Sequence, residues 1–280
     1  MSKDAVIQQF RAEIRTGRPL IGSGAGTGLS AKTAENGGAD FLVVYNSGRY
    51  RMAGRGSLAG LLAYGDANAI VLDMAGEVIP VVSRIPVFAG VNGTDPFRVM
   101  PAFLKEVKAA GYSGVQNFPT VGAFDGIFRE NLESTGMGYD KEVAMMREAG
   151  RLGLVTAPYA FTEAEAEAMV KEAEADVLVA HMGLTSSGTI GASAVLPLDD
   201  AVARTQQIAD AARRAAGGRR LIVLAHGGPI ATPEDWQYVL ERVDGVDGFL
   251  GASSMERLPA EQAITETVAR FKTVEAGVGR

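Results

Sequence analysis

The sequence predicts an α/β protein: a single (β/α)8 TIM barrel with an N-terminal helix. Three observations predict it. Short apolar runs rich in Val, Ile, Leu and Phe recur eight times, each closed by Gly, Asn, Ser or Pro. Stretches with helical spacing lie between them. The whole series fits in 280 residues, close to the roughly 250 typical of one such barrel. Runs that are continuously apolar, not alternating, are what parallel strands look like when both faces are covered. An open doubly wound sheet uses the same units and stands as the competing fold. One domain is expected, with the N-terminal helix in 1–17, the barrel in 18–275 and a tail in 276–280.

"MSKDAVIQQFRAEI" opens the chain as an amphipathic helix without the apolar centre of a signal peptide. The first four strands are predicted in "PLIGSGAG" from Pro19, "DFLVVYNSG" from Asp40, "VFAGVNGTD" from Val87 and "GVQNFPTVG" from Gly114. The last four lie in "GLVTAPYAF" from Gly153, "DVLVAHMG" from Asp176, "LIVLAHGG" from Leu221 and "VDGFLGASS" from Val246. The third helix carries a core stripe of Val99, Phe103, Val107 and Ala110, and the helix after the seventh strand carries Trp236, Val239, Leu240 and Val243. Thr162 and Glu165 have capping-box spacing, and Thr232 followed by Pro233 marks another helix start.

A formal net charge of −6 offers no basic field for nucleic acid or an anionic membrane. No apolar run approaches the roughly 18 residues of a membrane helix. The absence of cysteine excludes disulfides, thiolate metal sites and a Cys nucleophile. A small metabolite is the expected partner and the cytoplasm the expected location.

His181 and His226 are the only histidines, and each ends an apolar run directly before a turn signal. They fall on neighbouring predicted strands, the sixth and seventh. Alternation puts His181 on the face of Val177 and Val179, and His226 on that of Ile222 and Leu224. If those faces line the interior, the two imidazoles meet at the C-terminal mouth, where barrel active sites lie. A lone histidine there reads as a packed core residue; two at matched strand ends point to proton transfer.

Other polar groups follow the strand runs: Ser23, Asn46, Asn92, Asn117, Thr120, Tyr159, Ser253 and Glu256. Each alone also reads as a turn residue making a local bond. Gly227 and Gly228 after the seventh strand, with Gly251, Ser253 and Ser254 after the eighth, are expected to hold an anion on backbone N–H groups; two tight glycine turns fit equally well. Arg49, Arg51 and Arg55 lie in a Gly-rich loop after the second strand, read either as a lid closing over an anion or as a solvated loop. "GTGLSAKT" from Gly26 is no phosphate loop, because Ala31 stands where the pattern needs Gly, and "GSGAG" lacks dinucleotide spacing. No organic cofactor is expected. His181, His226 and Glu256 together make a two-His, one-carboxylate set for a divalent metal, but no local ligand motif supports it and no metal ligand is assigned.

"YNSGRYRMAGRGSLAGLLAYGDANAIV", "GVNGTDPFR", "GVQNFPTVGAFDGIFRENLESTGMGYDKEV", "HMGLT", "HGGPIATPEDWQYVL" and "GVDGFLGASSMERLP" resemble the phosphoenolpyruvate hydrolase-like barrel family, also found as the C-terminal domain of a plant tobamovirus-resistance protein. The resemblance runs over nearly the whole chain. It implies a TIM barrel, a homo-oligomer and, in many members, a fused or separate ATP-binding partner. It also implies cleavage chemistry on a small 2-oxo or enol acid. The wider superfamily it points to holds Mg2+ on strand-end carboxylates and carries a Cys-containing loop; neither feature is present here.

The expectation is a lyase or hydrolase that breaks a bond next to a carbonyl or enol in a small carboxylated or phosphorylated substrate. His226 is assigned as acid or base, His181 as its partner or the electrophile, and Glu256 as a second acid or base. Ser23, Asn46, Arg49, Asn92, Asn117 and Tyr159 are assigned to substrate, with Gly227, Gly228, Gly251, Ser253 and Ser254 at its anionic group. The alternative is a non-catalytic ligand-binding or regulatory barrel acting with an ATP-binding partner.

Overall fold

A computed structural model describes residues 1–275; the expected tail, 276–280, lies outside them. Nine strand segments form one parallel sheet: β1 Leu20–Gly24, β2 Phe41–Val44, β3 Val87–Val91, β4 Gly114–Asn117, β5 Val155–Thr156, β6 Tyr159–Ala160, β7 Val177–His181, β8 Ile222–His226 and β9 Gly248–Gly251. Every predicted apolar run contains a strand. The count differs because the fifth run is broken: Ala157 and Pro158 part β5 from β6. Proline has no N–H to give to a ladder. The strand pairing changes partner across it, β5 pairing with β4 and β6 with β7.

The sheet order is β5-β4-β3-β2-β1-β9-β8-β7-β6. Its two ends are thus pieces of chain only two residues apart, so the sheet is curled. Hydrogen bonds continue through the break, from Ala157 N to Val115 O and from Val179 N to Pro158 O.

The curl divides the core in two. Inward-pointing Phe41, Val43, Phe88, Val155, Val177, Val179, Ile222, Leu224 and Leu250 form one cluster. Val6 and Phe10 of the helix Lys3–Arg15 join it and close the end where the strands begin; the Phe10 ring lies 5.4 Å from Phe41 and 6.2 Å from Phe88. The opposite face, including Leu42, Val44, Ala89, Val115, Leu178 and Val223, packs under the surrounding helices. A side chain at Gly22 would strike the Phe41 and Leu250 rings and methyls, Phe41 Cε1 lying 2.6 Å from the Cβ position, so that inward position needs glycine.

A helix follows each β-unit, and four of these α-helices are capped by a side chain, from Thr27, Asp66, Thr162 and Thr232. Thr232 caps Pro233–Leu240 and forms a reciprocal box with Asp235. At Thr162 only half of the expected box forms: its side chain accepts from Glu165 N, while the Glu165 carboxylate reaches Phe161 N. Val99 is not core; it is the N-cap of Met100–Ala109 and 75% exposed, while Leu104 is buried in its stead. The helix Arg257–Lys272 buries only Arg257 and Leu258, leaving Ile264, Val268 and Phe271 exposed. Among the described residues no helix is long and apolar enough to cross a membrane.

Candidate functional site

The strand ends open into a cavity of about 770 Å³ whose lining includes Tyr45, Arg51, Tyr159, His181, His226 and Ser253. β7 and β8 pair in register, Val177 with Ile222, Val179 with Leu224 and His181 with His226. With period-2 alternation, that register carries both imidazoles inward at the same level. Their ring centroids are 4.5 Å apart.

The main chain sets the proton on each ring. His226 Nδ1 lies 2.6 Å from Leu250 O. A carbonyl only accepts, so Nδ1 carries the hydrogen and Nε2 presents a lone pair. His181 Nδ1 instead accepts from Gly183 N at 2.9 Å, which leaves its hydrogen on Nε2. One ring therefore offers a proton acceptor and its neighbour a donor. Burial depresses both: His226 to about 4, with Arg51 adding to the effect against the Leu250 bond, and His181 well below its ordinary value, with His226 and Arg204 adding. Both are neutral at pH 7.

Tyr159 stands against both rings, at 4.7 Å from His181 and 4.8 Å from His226, and its hydroxyl is 3.4 Å from His226 Nε2. Burial, then Tyr45, holds its phenol well above the ordinary range. Phe161 stacks on His181 at 4.3 Å. Arg51 and Glu256 make an ion pair at 3.0 Å, each side chain 1% exposed. Burial disfavours the Arg51 charge, but Tyr45 and Glu256 outweigh it. The Arg51 Nε–H has no partner among the described residues.

The remaining predicted residues take supporting places. Glu256, apart from Arg51, accepts from Gly26 N and Ser30 Oγ, and it does not line the cavity. Asn46 donates to Gly60 O and holds the following loop; Arg49 pairs with Asp73 at 2.7 Å, outside the cavity. Asn92 bonds Asn68 and Thr94, and Ser23 bonds Gly24 O. Asn117 accepts from Tyr159 N at 2.7 Å and donates to Glu142 at 2.6 Å, so it positions the Tyr159 backbone. Thr120 also donates to Glu142, whose carboxyl burial pushes up to about 8 against the donors Val121 N, Thr120 and Asn117.

Gly227 and Gly228 have φ of +74° and +63°, and the Gly228 N–H is spent on Gly183 O at 2.8 Å. They serve close packing of the β7 and β8 loops, and neither lines the cavity. In the last loop Ser253 reaches the cavity, while Gly251 and Ser254 do not; the Ser254 hydroxyl is buried without a partner among the described residues.

Tyr45 and Phe161 extend inward alternations, Phe41–Val43–Tyr45 and Tyr159–Phe161, and were legible on that ground. Arg51, expected in a Gly-rich loop, sits with Arg49 in a short helix, Asn46–Met52, and of the three arginines of that expected loop it alone lines the cavity; Arg204, in the helix Leu198–Ala216, carries no sequence signal that marks it as a lining residue.

A family model described as phosphoenolpyruvate hydrolase-like matches residues 5–274. The tomato (Solanum lycopersicum) ToMV susceptible protein tm-1(GCR26) is 60% identical over 269 residues, covering 96% of this chain and 35% of that protein. The chain thus spans about a third of the length of that protein and of the tomato ToMV resistance protein Tm-1(GCR237). A phosphonopyruvate hydrolase structure with oxalate and Mg2+ aligns with a TM-score of 0.58 at 17% identity, over 100% of this chain and 92% of that one. A 2,3-dimethylmalate lyase aligns with a TM-score of 0.59 at 14% identity, over 100% and 91%. At such identities the structural likeness speaks to fold. The family model, its span and the tomato relative agree: this chain belongs to the phosphoenolpyruvate hydrolase-like family.

Proposed function

We propose that the chain is a lyase or hydrolase acting next to the carbonyl of an anionic oxo-acid-like substrate, with His226 and His181 as its catalytic pair. The opposed tautomers carry this reading. A carbonyl oxygen placed at His181 Nε2–H is polarised by a neutral donor, and a proton on an adjacent hydroxyl or water passes to His226 Nε2. Low basicity keeps Nε2 free at neutral pH, and a bound anion raises that basicity towards the working range. The Tyr159 hydroxyl steadies the acceptor. Arg51, with its unpartnered Nε–H, replaces Arg49 as the arginine for the carboxylate. Structural neighbours named as a hydrolase and a lyase support the reaction class.

The phosphonopyruvate hydrolase neighbour holds Mg2+, an ion that favours carboxylate oxygens and water. The histidine floor offers imidazoles and a phenol, and the Glu256 carboxylate is already taken by Arg51, Gly26 and Ser30. Among the described residues no three His, Cys, Asp or Glu side chains gather as a metal set, including His181, His226 and Glu256. These residues do not fit a resident Mg2+.

We also propose that β5 and β6 are one strand interrupted at Pro158, so that the fold counts as an eight-stranded closed barrel; their pairing with β4 on one side and β7 on the other supports this. The exposed stripe Ile264, Val268 and Phe271, spaced i, i+4, i+7, supports a homo-oligomer in which a second copy covers it. Turnover of a panel of 2-oxo and 2-hydroxy acids by wild type and by His226→Asn tests the catalytic assignment. Ligand binding without turnover of any acid would favour the regulatory barrel.

A further inference from the structure

We infer that the substrate is an acid bearing a bulky apolar group, a ring or a long chain, and not a bare oxo acid of two to four carbons; this rests on the catalytic reading above. The cavity has two chemically distinct parts. Its floor is polar, with His181, His226, Tyr159 and Arg51. Its wall is apolar: Leu58, Leu61, Phe118, Phe124, Phe161 and Leu184. Those six side chains come from the loops after β2, β4, β6 and β7, so the wall is assembled from several parts of the fold.

Size decides against a small occupant. A volume of about 770 Å³ lies high in the range of roughly 300–1,000 Å³ that holds drug-sized ligands. An acid as small as oxalate, held at the histidines, would leave most of it to water against phenyl and leucyl surfaces. The described residues do not cover that wall: Leu58 is 46% and Leu184 39% exposed. Two further cations line the cavity: Arg129 is already matched by Glu133 at 2.7 Å and Glu165 at 3.0 Å, and Arg204 spends one N–H on Phe161 O at 3.0 Å. An apolar substituent on the acid removes the exposed wall from water and leaves the head at the floor.

Calorimetric titration of the full chain with straight-chain 2-oxo acids, from pyruvate to 2-oxooctanoate, and with phenylpyruvate tests this. Affinity is expected to rise about fourfold per added methylene, and phenylpyruvate to bind roughly tenfold or more tighter than pyruvate. Leu58→Ser and Phe124→Ser should weaken 2-oxooctanoate more than pyruvate. Affinity that is flat or falls with chain length overturns the inference. Turnover of the same acids separates it from the catalytic reading. Tail-dependent binding without turnover keeps the ligand class and discards the catalysis; turnover of pyruvate with no gain from a tail does the reverse. No binding at any length overturns both.

Discussion

His181 and His226 face one cavity with ring centroids 4.5 Å apart and opposite tautomers, because one Nδ1 accepts from Gly183 N and the other donates to Leu250 O. With only two histidines in the chain, long-range 15N–1H NMR resolves them without assignment by mutation. At pH 7 both should appear neutral, one protonated at Nε2 and one at Nδ1. Two rings of the same tautomer, or a charged ring, would contradict the donor–acceptor arrangement.

Asn keeps a hydrogen-bonding side chain at position 226 but cannot exchange a proton. His226→Asn should therefore lower kcat by about 10²- to 10⁴-fold while ligand affinity changes little. Weakened affinity with unchanged kcat would make His226 a binding residue only.

A histidine whose folded pKa is about 4, against roughly 6.5 unfolded, binds fewer protons in the native state between those pH values. The unfolded chain gains the proton first as pH falls, so stability contributed by neutral His226 is complete above about pH 6.5 and is lost towards pH 4. The buried Glu142 carboxyl, raised to about 8, acts with the opposite sign: its protonated native form adds stability below that pH. The informative quantity is therefore a difference. Relative to His226→Asn, wild type should lose about 3 kcal/mol of unfolding free energy between pH 6.5 and 4, read from urea melts; parallel pH profiles would refute it.

Glu256 is the counter-ion of a guanidinium in which both side chains are 1% exposed. Glu256→Gln leaves the Arg51 charge buried without compensation, a loss of about 3–5 kcal/mol. Chemical denaturation checks it. A change under 1 kcal/mol would show that water reaches Arg51 and screens its charge.

Ile264→Glu combined with Phe271→Glu should shift the chain towards monomer in light-scattering mass measurements without disturbing the sheet, since both side chains are exposed. A monomeric wild type would dismiss the oligomer.

Backbone periodicity made the strands legible. Each apolar run from Pro19 to Val246 contains a strand, and alternation along "VLVAH" and "IVLAH" put each histidine on the face of its Val, Ile or Leu neighbours, the face that the fold turns inward. Those signals are local, since strand formation and facing depend on a few neighbouring residues. Even Pro158, which splits the fifth run, acts through its own missing N–H.

The composition of the site was decided by contacts between distant parts of the chain. Glu256 appeared in sequence as a strand-end acid; the fold brings Arg51 from 205 positions away to neutralise it. Asn117 appeared as a substrate ligand, but Glu142 and the Tyr159 backbone take its amide. Gly227 and Gly228 appeared as an anion cradle, yet Gly183 across the β7 loop takes the Gly228 N–H. Sequence determined which polar groups stand at the strand ends, because alternation is a short-range property. Tertiary structure alone decided which of them stay free for a ligand, because a buried polar group binds whichever partner the folded chain brings within reach.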